Sequence, residues 1–186
     1  MKLSAAIGRR YLHRTVVDRM LRVDHAGEYA AVRIYEGQMA VLGRNPEFKK
    51  LLTHMKDNEE EHLSAIEETM PGRRVRPSLL LPLWGAAGYG LGLATALLGK
   101  ETAMACTVAV EEVIGSHYND QLREIIADRH NTDDELMLMI KKHRDDELEH
   151  LNTGISHDAE KAPAYNLLSN VIKTGCKAAI WVSERI

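Results

Sequence analysis

Apolar residues recur at helical spacing along most of the chain. In four long segments they return every three to four positions, which predicts amphipathic α-helices. These segments run from about 15 to 42, 46 to 70, 100 to 127 and 133 to 157, and a fifth runs from about 164 to 183. The sequence has neither convincing strand alternation nor an Asn-Gly or Asp-Gly hairpin turn. The pattern therefore predicts an all-α protein.

Breaker and capping residues mark the ends of these segments. Gly43, Asn45 and Pro46 separate the first two helices, and proline suits the first turn of the second. The pair Pro71-Gly72 predicts the end of that second helix. The run Thr132-Asp133-Asp134-Glu135 resembles a capping box at the start of the fourth. The helices are therefore expected to be separate elements with defined ends.

The segment between the second and third helices carries no charge. It runs from Pro77 to Gly99 and follows a basic cluster of Arg73, Arg74 and Arg76. The segment is long enough to span a bilayer, but prolines and glycines interrupt it. Three interpretations stay open: a transmembrane span, a buried core helix, and a segment that lies on a membrane or partner surface.

Each of the four main helices carries a glutamate inside its own apolar stripe. Two of these glutamates begin a Glu-x-x-His pair, whose members project from one face of a helix and can hold one ion. The order, a glutamate and then a Glu-x-x-His pair, occurs once in each half of the chain. The six candidate residues are Glu28, Glu59, His62, Glu111, Glu147 and His150.

The two halves of the chain also echo each other around these residues. Tyr35 follows Glu28 by seven positions, and Tyr118 follows Glu111 by seven. We therefore expect a duplicated helical hairpin with a long hydrophobic crossover between its halves. With the last segment added, the prediction is a four-helix bundle with an extra C-terminal helix.

Four carboxylates that face one core require compensating positive charge. A buried carboxylate without a partner is costly, so such a protein would either fail to fold or take up protons. Two divalent ions supply the matching charge, and carboxylate-rich ligation with one imidazole per metal suits iron or manganese. In a four-helix bundle this is the di-iron carboxylate arrangement of ferritin-like proteins. The competing interpretation is a set of exposed ion pairs, which we expect for Glu60, Glu61, Glu112 and Glu149.

Other polar residues lie near the candidate ligands. Asp146 can accept a ring N–H from a ligand histidine on another helix, and Asp24 lies one turn before Glu28. Each of the two aspartates can equally be a solvated charge. The remaining candidates are expected to be surface or capping histidines and small core cysteines: His25, His54, His130, His157, Cys106 and Cys176.

Composition excludes several classes of protein. The net charge of −3 argues against a nucleic-acid binder. The only two cysteines do not form a Cys-x-x-Cys motif, which excludes a cysteine-based zinc or iron–sulfur site. A length of 186 residues predicts one domain, here assigned to 15–186. Residues 1–14, basic and free of acids, are either a flexible start or a transit-like segment.

Four longer stretches together carry a resemblance to a known family. They are Arg22-Val-Asp-His-Ala-Gly-Glu28, Arg33-Ile-Tyr-Glu-Gly-Gln38, the run 97–112 and Asp145-Asp-Glu-Leu-Glu-His150. In combination they resemble the demethoxyubiquinone hydroxylase family of ubiquinone biosynthesis. The resemblance extends from about Val16 to the C-terminus.

This resemblance implies a ferritin-like fold with two iron ions per chain. It implies that the six candidate residues are the iron ligands, and it leaves open whether Glu59 and Glu147 or Glu28 and Glu111 bridge the irons. It also implies that His117 and Tyr118 help electrons to reach the irons. The alternative for Tyr118 is a core residue that is hydrogen-bonded near the site.

The same resemblance implies a monooxygenase that hydroxylates the ring of a demethoxy polyprenyl quinone with O2 and electrons from NADH. Such a protein would lie peripherally on the matrix side of the mitochondrial inner membrane, or on the cytoplasmic face of a bacterial inner membrane. It would contact the membrane through Pro77–Gly99 and work with a lipid-binding partner protein; a homo-oligomer is left open. No dinucleotide fingerprint is present, so NADH would bind without a Rossmann domain or act through the quinone.

Two other functions compete with the quinone monooxygenase. The first is a ferritin-like protein that oxidises iron or scavenges peroxide. The second is a membrane-associated, lipid-binding scaffold without catalysis, which would have no use for six ligands in stripe positions.

Overall fold

The described part of the chain is built from α-helices and contains no β-strand. A computed structural model describes residues 2–127 and 133–186, with side chains from residue 16 onward. The predictions for His130 and Thr132 therefore lie outside it. The helices are α1 (Lys2–Leu42), α2 (Pro46–Arg73), α3 (Leu81–Leu97), α4 (Lys100–Ala127), α5 (Asp134–Ser156) and α6 (Tyr165–Ser183), with a 3-10 turn at Ala159–Lys161. Helix α1 begins at Lys2, before its predicted start near residue 15, and a transit-like role of residues 1–14 stays a prediction. The all-α prediction is confirmed.

Most helix ends follow the capping signals. Asn45 accepts backbone N–H bonds at the start of α2, with Pro46 in the first turn as predicted, and Asp133 caps α5. The predicted end of α2 at Pro71-Gly72 is wrong, because the helix continues to Arg73. The proline costs one backbone hydrogen bond, whereas the left-handed residue that follows the helix, Arg74, completes a cap that satisfies two carbonyls.

Contacts between the helices fix the direction of each one. Tyr35 contacts Glu111 while Tyr118 contacts Glu28, so α1 and α4 are antiparallel. The hydrogen bonds of α2 to α5 show that this pair is antiparallel too. Each of α1–α2 and α4–α5 forms a hairpin, which leaves α2 and α4 running in the same direction. The chain must therefore return between them, and the predicted crossover makes that return as α3.

Helix α3 runs parallel to α1 and packs very closely against it. Three glycines, Gly85, Gly88 and Gly92, face α1, and a Cβ atom on Gly88 would lie only 2.5 Å from the carbonyl oxygen of Ala30. The opposite face of α3 exposes apolar side chains, among them Leu83 and Leu97. The segment is thus buried on one face only. None of the described helices combines the length and the apolar character that crossing a bilayer requires.

The apolar core is divided by a polar layer at mid-height in the bundle. One cluster packs Met20, Ile66 and Ile140 around the end of the bundle where α5 begins. The other packs Phe48, Leu52 and Met104 around the opposite end. The buried carboxylates lie between these clusters, and none of the four glutamates is more than 3% exposed.

The close packing of α3 on α1 predicts the effect of a single methyl group. Gly92→Ala would place a Cβ against the carbonyl oxygen of Ile34, so we expect a loss of about 1–3 kcal/mol in the free energy of unfolding. Gly90→Ala is the matched control on the exposed face, where the added Cβ contacts nothing, and it should be neutral or stabilising by up to about 1 kcal/mol. Urea unfolding followed by circular dichroism measures both; equal effects would contradict the packing described here.

Candidate metal centre

All six residues predicted as ligands meet in the polar layer. Their ligand atoms form two groups, in each of which every atom lies within 4.8 Å of the others. None of the six residues is more than 3% exposed. The first group is Glu28, Glu59, His62 and Glu147, and the second is Glu59, Glu111, Glu147 and His150. Glu59 and Glu147 therefore belong to both groups.

Hydrogen bonds from neighbouring helices orient the outer glutamates. The Tyr35 hydroxyl donates to Glu111 Oε1 at 3.0 Å, and the Tyr118 hydroxyl donates to Glu28 Oε1. In both cases a tyrosine from one hairpin holds a glutamate of the other. Because both tyrosines are buried, these bonds fix the carboxylate orientation in the absence of water.

Both histidines of the Glu-x-x-His pairs turn Nδ1 inward. His62 Nδ1 lies 3.5 Å from oxygens of Glu28 and Glu147, and His150 Nδ1 lies 2.9 Å from Glu59 Oε1. On the outer side, His62 Nε2 donates to Asp146 Oδ2 at 2.9 Å, which confirms the predicted contact of Asp146. An N–H at Nε2 leaves the inward Nδ1 lone pair of His62 free to bind a cation.

Several inward-facing atoms have no aligned hydrogen-bond partner among the described residues. They are Glu28 Oε2, both oxygens of Glu59, Glu147 Oε2 and Nδ1 of His62 and His150. Buried polar atoms normally find a partner, and an exception calls for a physical explanation. Carboxylate oxygens and imidazole nitrogens converging on one space form a donor set that suits divalent iron or manganese.

Without a metal the site balances its charge with protons. Burial and the neighbouring Glu147 raise the pKa of Glu59 to about 8, and the same causes raise the pKa of Glu111 well above its usual range. Burial opposes charge on His150, but Glu147 and Glu59 outweigh it and raise that pKa to about 11. Burial also raises the pKa of Glu28, yet contact with His62 reverses this and lowers it to about 2. The metal-free centre therefore pairs imidazolium groups with carboxylates, and other carboxyls stay protonated.

Of the two residues predicted to assist electron transfer, only Tyr118 contacts a candidate ligand. His117 lies beside the site, with Nε2 3.4 Å from Asp24 Oδ1 and 2.9 Å from Gln121 Nε2. Asp24 is buried and accepts a hydrogen bond from Gln121 at 2.7 Å. Asp24 is thus neither solvated nor bonded to a ligand histidine, and it forms a buried polar cluster with His117 and Gln121.

One further residue of the site, His143, was not predicted from the sequence, although it lies in the apolar stripe of α5. It is buried, its ring stacks on His62 with 4.1 Å between centroids, and it forms a third candidate group with His62 and Glu28. Burial and the nearby His62 lower the pKa of His143 to about 4, so the ring is neutral near pH 7. Its position four residues before Glu147, on the same helix face, was the available signal.

Most of the other predictions for single residues hold. The four glutamates expected on the surface are exposed, as is His54; His157 caps the end of α5, and both cysteines are free, with Cys106 buried and Cys176 partly so. The prediction for His25 is wrong: it is only 3% exposed and lies 3.3 Å from Glu67 on α2. Helix α1 is covered by neighbours on several sides, so a position outside its main stripe is still buried.

An apolar cavity of about 390 Å³ leads to the centre. It lies among α1, α3, α4 and α6, and its walls include Trp84, Leu91, Ile114 and Ile172. Its polar members are few, and they include Glu28, Tyr118, His117 and Asp24. The cavity therefore opens onto the Glu28 side of the site. An apolar pocket with a few convergent polar groups is the usual form of a small-molecule site.

Comparison with known proteins identifies a family. Residues 15–183 match the family described as "Ubiquinone biosynthesis protein COQ7". The chain belongs to this family. A mouse (Mus musculus) relative of the same family, "NADPH-dependent 3-demethoxyubiquinone 3-hydroxylase, mitochondrial", is 56% identical over 94% of this chain and 80% of its own length.

Members of this family also occur in bacteria and fungi. The "3-demethoxyubiquinol 3-hydroxylase" of Rhodospirillum rubrum is 51% identical over 92% of this chain and 79% of its own length. The "5-demethoxyubiquinone hydroxylase, mitochondrial" of Saccharomyces cerevisiae is 46% identical over 91% of this chain and 78% of its own length. The similarity to relatives from different kingdoms covers almost the entire chain.

The raised pKa of Glu111 predicts that its carboxyl destabilises the metal-free protein. Near pH 7 the unfolded chain carries this group ionised while the folded chain protonates it, so folding stability falls as the pH rises above the ordinary carboxyl range. Glu111→Gln should therefore raise the free energy of unfolding in a chelator by on the order of 1 kcal/mol or more. It should also reduce the stabilisation that added Fe(II) or Mn(II) gives the wild type.

Glu112→Gln is the matched control, because this neighbour is exposed and pairs with Lys173 on the surface. Its effect should stay within about 0.5 kcal/mol, with or without metal. Urea unfolding in chelator and in metal measures both variants. If Glu111→Gln is less stable than the wild type in chelator, the buried carboxyl does not destabilise the metal-free protein and the prediction is wrong.

Proposed function

We propose that this chain is a di-iron monooxygenase that hydroxylates the ring of a demethoxy polyprenyl quinone in ubiquinone biosynthesis. The observation that carries the proposal is the apolar cavity that ends at Glu28, one of six buried, convergent ligand residues. The names of the family relatives support the same substrate class. The hairpin order with a long crossover supports a ferritin-like domain over residues 15–186.

The six residues suit two metal ions with different roles for the glutamates. Glu59 and Glu147 lie in both ligand groups, which supports them as the bridging carboxylates. Glu28 and His62 would complete one metal position, and Glu111 and His150 the other. Two iron ions held there would supply the chemistry that activates O2 for attack on the quinone ring.

Residues of this chain prepare the site around that chemistry. Tyr118 and Tyr35 hold the outer glutamates through their hydroxyls, so the ligand oxygens keep one orientation. The apolar walls of the cavity exclude water from the ring, and the ring would meet the centre on the Glu28 side. The few polar atoms at the inner end of the cavity would orient the oxygens of the quinone.

We assign His117 to the transfer of electrons toward the centre. It lines the apolar cavity and also a polar surface pocket of about 170 Å³ that includes Arg19, Asp120 and Glu124. It is the neighbour of Tyr118, whose hydroxyl contacts Glu28. The electron donor would be a nicotinamide: the resemblance implies NADH, whereas the names of several relatives specify NADPH. Both donors therefore belong in the assay.

The exposed surface of α3 and α6 supports peripheral contact with a membrane. Leu83, Leu97 and Leu98 are exposed on or next to α3, and Val171 and Trp181 on α6. Val171 also lines the cavity, so the cavity opens on this apolar face. A polyprenyl quinone would enter from the bilayer here, with its tail in lipid.

We propose that the protein lies on the matrix side of the mitochondrial inner membrane, or on the cytoplasmic face of a bacterial inner membrane. It would work there with a lipid-binding partner protein. A homo-oligomer stays a prediction.

The direct test is the mass of the product. Purified protein loaded with Fe(II) receives a short-tailed demethoxyquinone, O2 and either NADH or NADPH, and the expected product is heavier by one oxygen atom. Glu111→Ala should abolish the product, and Glu112→Ala should retain it. Iron bound in the expected amount without any product from either donor would overturn the proposal in favour of iron oxidation or peroxide scavenging.

A substitution in the cavity wall should change the affinity for substrate without changing the centre. Ala179 lines the cavity on α6, so Ala179→Phe should raise KM about tenfold or more, as expected from the cost of overpacking a pocket. The adjacent Ala178 is exposed and lies outside the cavity lining, so Ala178→Phe is the control and should leave KM unchanged. Steady-state kinetics measure KM for both variants. Equal KM values would show that the substrate does not bind in this cavity.

A charge on the apolar face of α3 should weaken membrane binding. Leu97 is 68% exposed there, and Leu97→Glu should lower partition onto anionic phospholipid vesicles about tenfold, since a buried leucine contributes about 1.5–3 kcal/mol. Leu138 on α5 is 63% exposed, so Leu138→Glu is matched in chemistry and exposure. Vesicle co-sedimentation measures both. The same loss in both variants would contradict a membrane face at α3.

A further inference from the structure

The duplicated hairpin gives each residue of the centre a counterpart in the other half. Alignment of Glu28 with Glu111 pairs Tyr35 with Tyr118 and Gln38 with Gln121. Alignment of Glu59 with Glu147 pairs His62 with His150.

The hydrogen bonds follow the same relation between the two halves. Each tyrosine donates to the glutamate of the other half, and each glutamine donates across to the residue one turn before that glutamate: Gln38 to Thr107 and Gln121 to Asp24.

The first departure from this symmetry lies behind the two ligand histidines. Asp146 accepts a hydrogen bond from His62 Nε2 at 2.9 Å. Its counterpart is Asn58, whose amide nitrogen lies 3.4 Å from His150 Nε2. A carboxylate behind a ligand imidazole fixes the tautomer and makes the ring more basic. A neutral amide can do this only weakly, and only with its oxygen turned to the ring.

The second departure lies one turn before the glutamates of the Glu-x-x-His pairs. His143 stacks on His62, has an unpartnered buried Nδ1 and offers a ligand atom within 4.8 Å of those of Glu28 and His62. Its counterpart Met55 is packed in the apolar cluster around Phe48 and Leu52. A thioether is a poor ligand for divalent iron, so the Glu111–His150 position has no equivalent second imidazole.

Two further unlike pairs of buried or cavity-lining residues show the same bias. Asp24 corresponds to Thr107, and His117 corresponds to Ile34. In each of these four pairs the charged or imidazole-bearing member lies on the side of Glu28 and His62. The apolar cavity opens onto this side as well. The asymmetry is therefore concentrated at one of the two metal positions, the one that faces the cavity.

We propose that the two metal positions are unequal, and that the Glu28–His62 position binds a divalent cation first and more tightly. Asp146 is the positioning residue that strengthens His62 as a ligand, and His143 supplies a second imidazole to the same position. This inference rests on the proposed metal centre. It adds the order in which the two positions bind metal, and it attributes that order to Asp146 and His143, which are not among the six ligands.

The test is an anaerobic titration of the chelator-treated full chain with Co(II). Calorimetry and visible absorption monitor the binding. The wild type should bind in two steps of different affinity. His62→Ala should remove the tight step, and its counterpart His150→Ala should remove the weak one. Asp146→Asn should weaken the tight step alone, by roughly 10- to 100-fold. The exposed neighbour provides the control, since Asp145→Asn should change neither step.

The counterpart residues provide a reciprocal test. Asn58→Asp places a carboxylate behind His150, so it should tighten the weak step and bring the two affinities together. His143→Met copies the residue of the other half, and it should weaken the tight step and alter the cobalt absorption that accompanies it. Circular dichroism and thermal unfolding of each metal-free variant confirm that the fold is retained.

The outcomes separate this inference from the proposed function. Two equal steps in the wild type, or an effect of Asp146→Asn on the weak step, would overturn the inference and leave the metal centre in place. A tight step and absorption unchanged in His143→Met would overturn the role given to His143. Absence of Co(II) binding in the wild type would overturn the metal centre itself.

Discussion

The mutual repulsion of four buried carboxylates is the constraint on which the rest of the structure depends. Glu28, Glu59, Glu111 and Glu147 lie between two apolar clusters, where water cannot screen them. Two imidazoles, two tyrosine hydroxyls and protons on the carboxyls with raised pKa values balance the charge in the metal-free protein. Such a centre costs folding free energy that the apolar clusters must offset, which is typical of a site kept for its chemistry.

Duplication explains both the order of the helices and the need for a crossover. When two equivalent hairpins face each other, the second helix of one and the first helix of the other run in the same direction. Helix α3 makes this connection. Its glycine face lets it lie against α1 without displacing the side chains that α1 contributes to the centre. The same relation lets each hairpin orient the glutamate of the other, so neither half can build its ligand set alone.

Helical periodicity predicted every long helix except α3, and with the repeated order of glutamates and histidines it predicted the six residues that converge. Each of those residues repeats with the apolar stripe of its own helix, and that information is local. The partners of the tyrosines were not predictable, because they depend on the register between α1 and α4. His143 was missed because one histidine in an apolar stripe is ordinarily a core residue. The faces of α3 could not be distinguished because all its residues are uncharged, and only the fit of its glycines against α1 decides between them.

Helix α1 contacts both the candidate metal centre and α3, whose exposed apolar face we propose as the membrane contact. It carries Glu28 on one side and receives α3 on another, and the cavity beside these two helices connects the outer apolar surface with the Glu28 side of the centre. A quinone ring that entered this cavity from the membrane would leave most of its tail in the bilayer. Turnover would then depend little on how many isoprene units the tail contains. If the proposed function holds, an enzyme of this design would accept quinones whose tails differ in length.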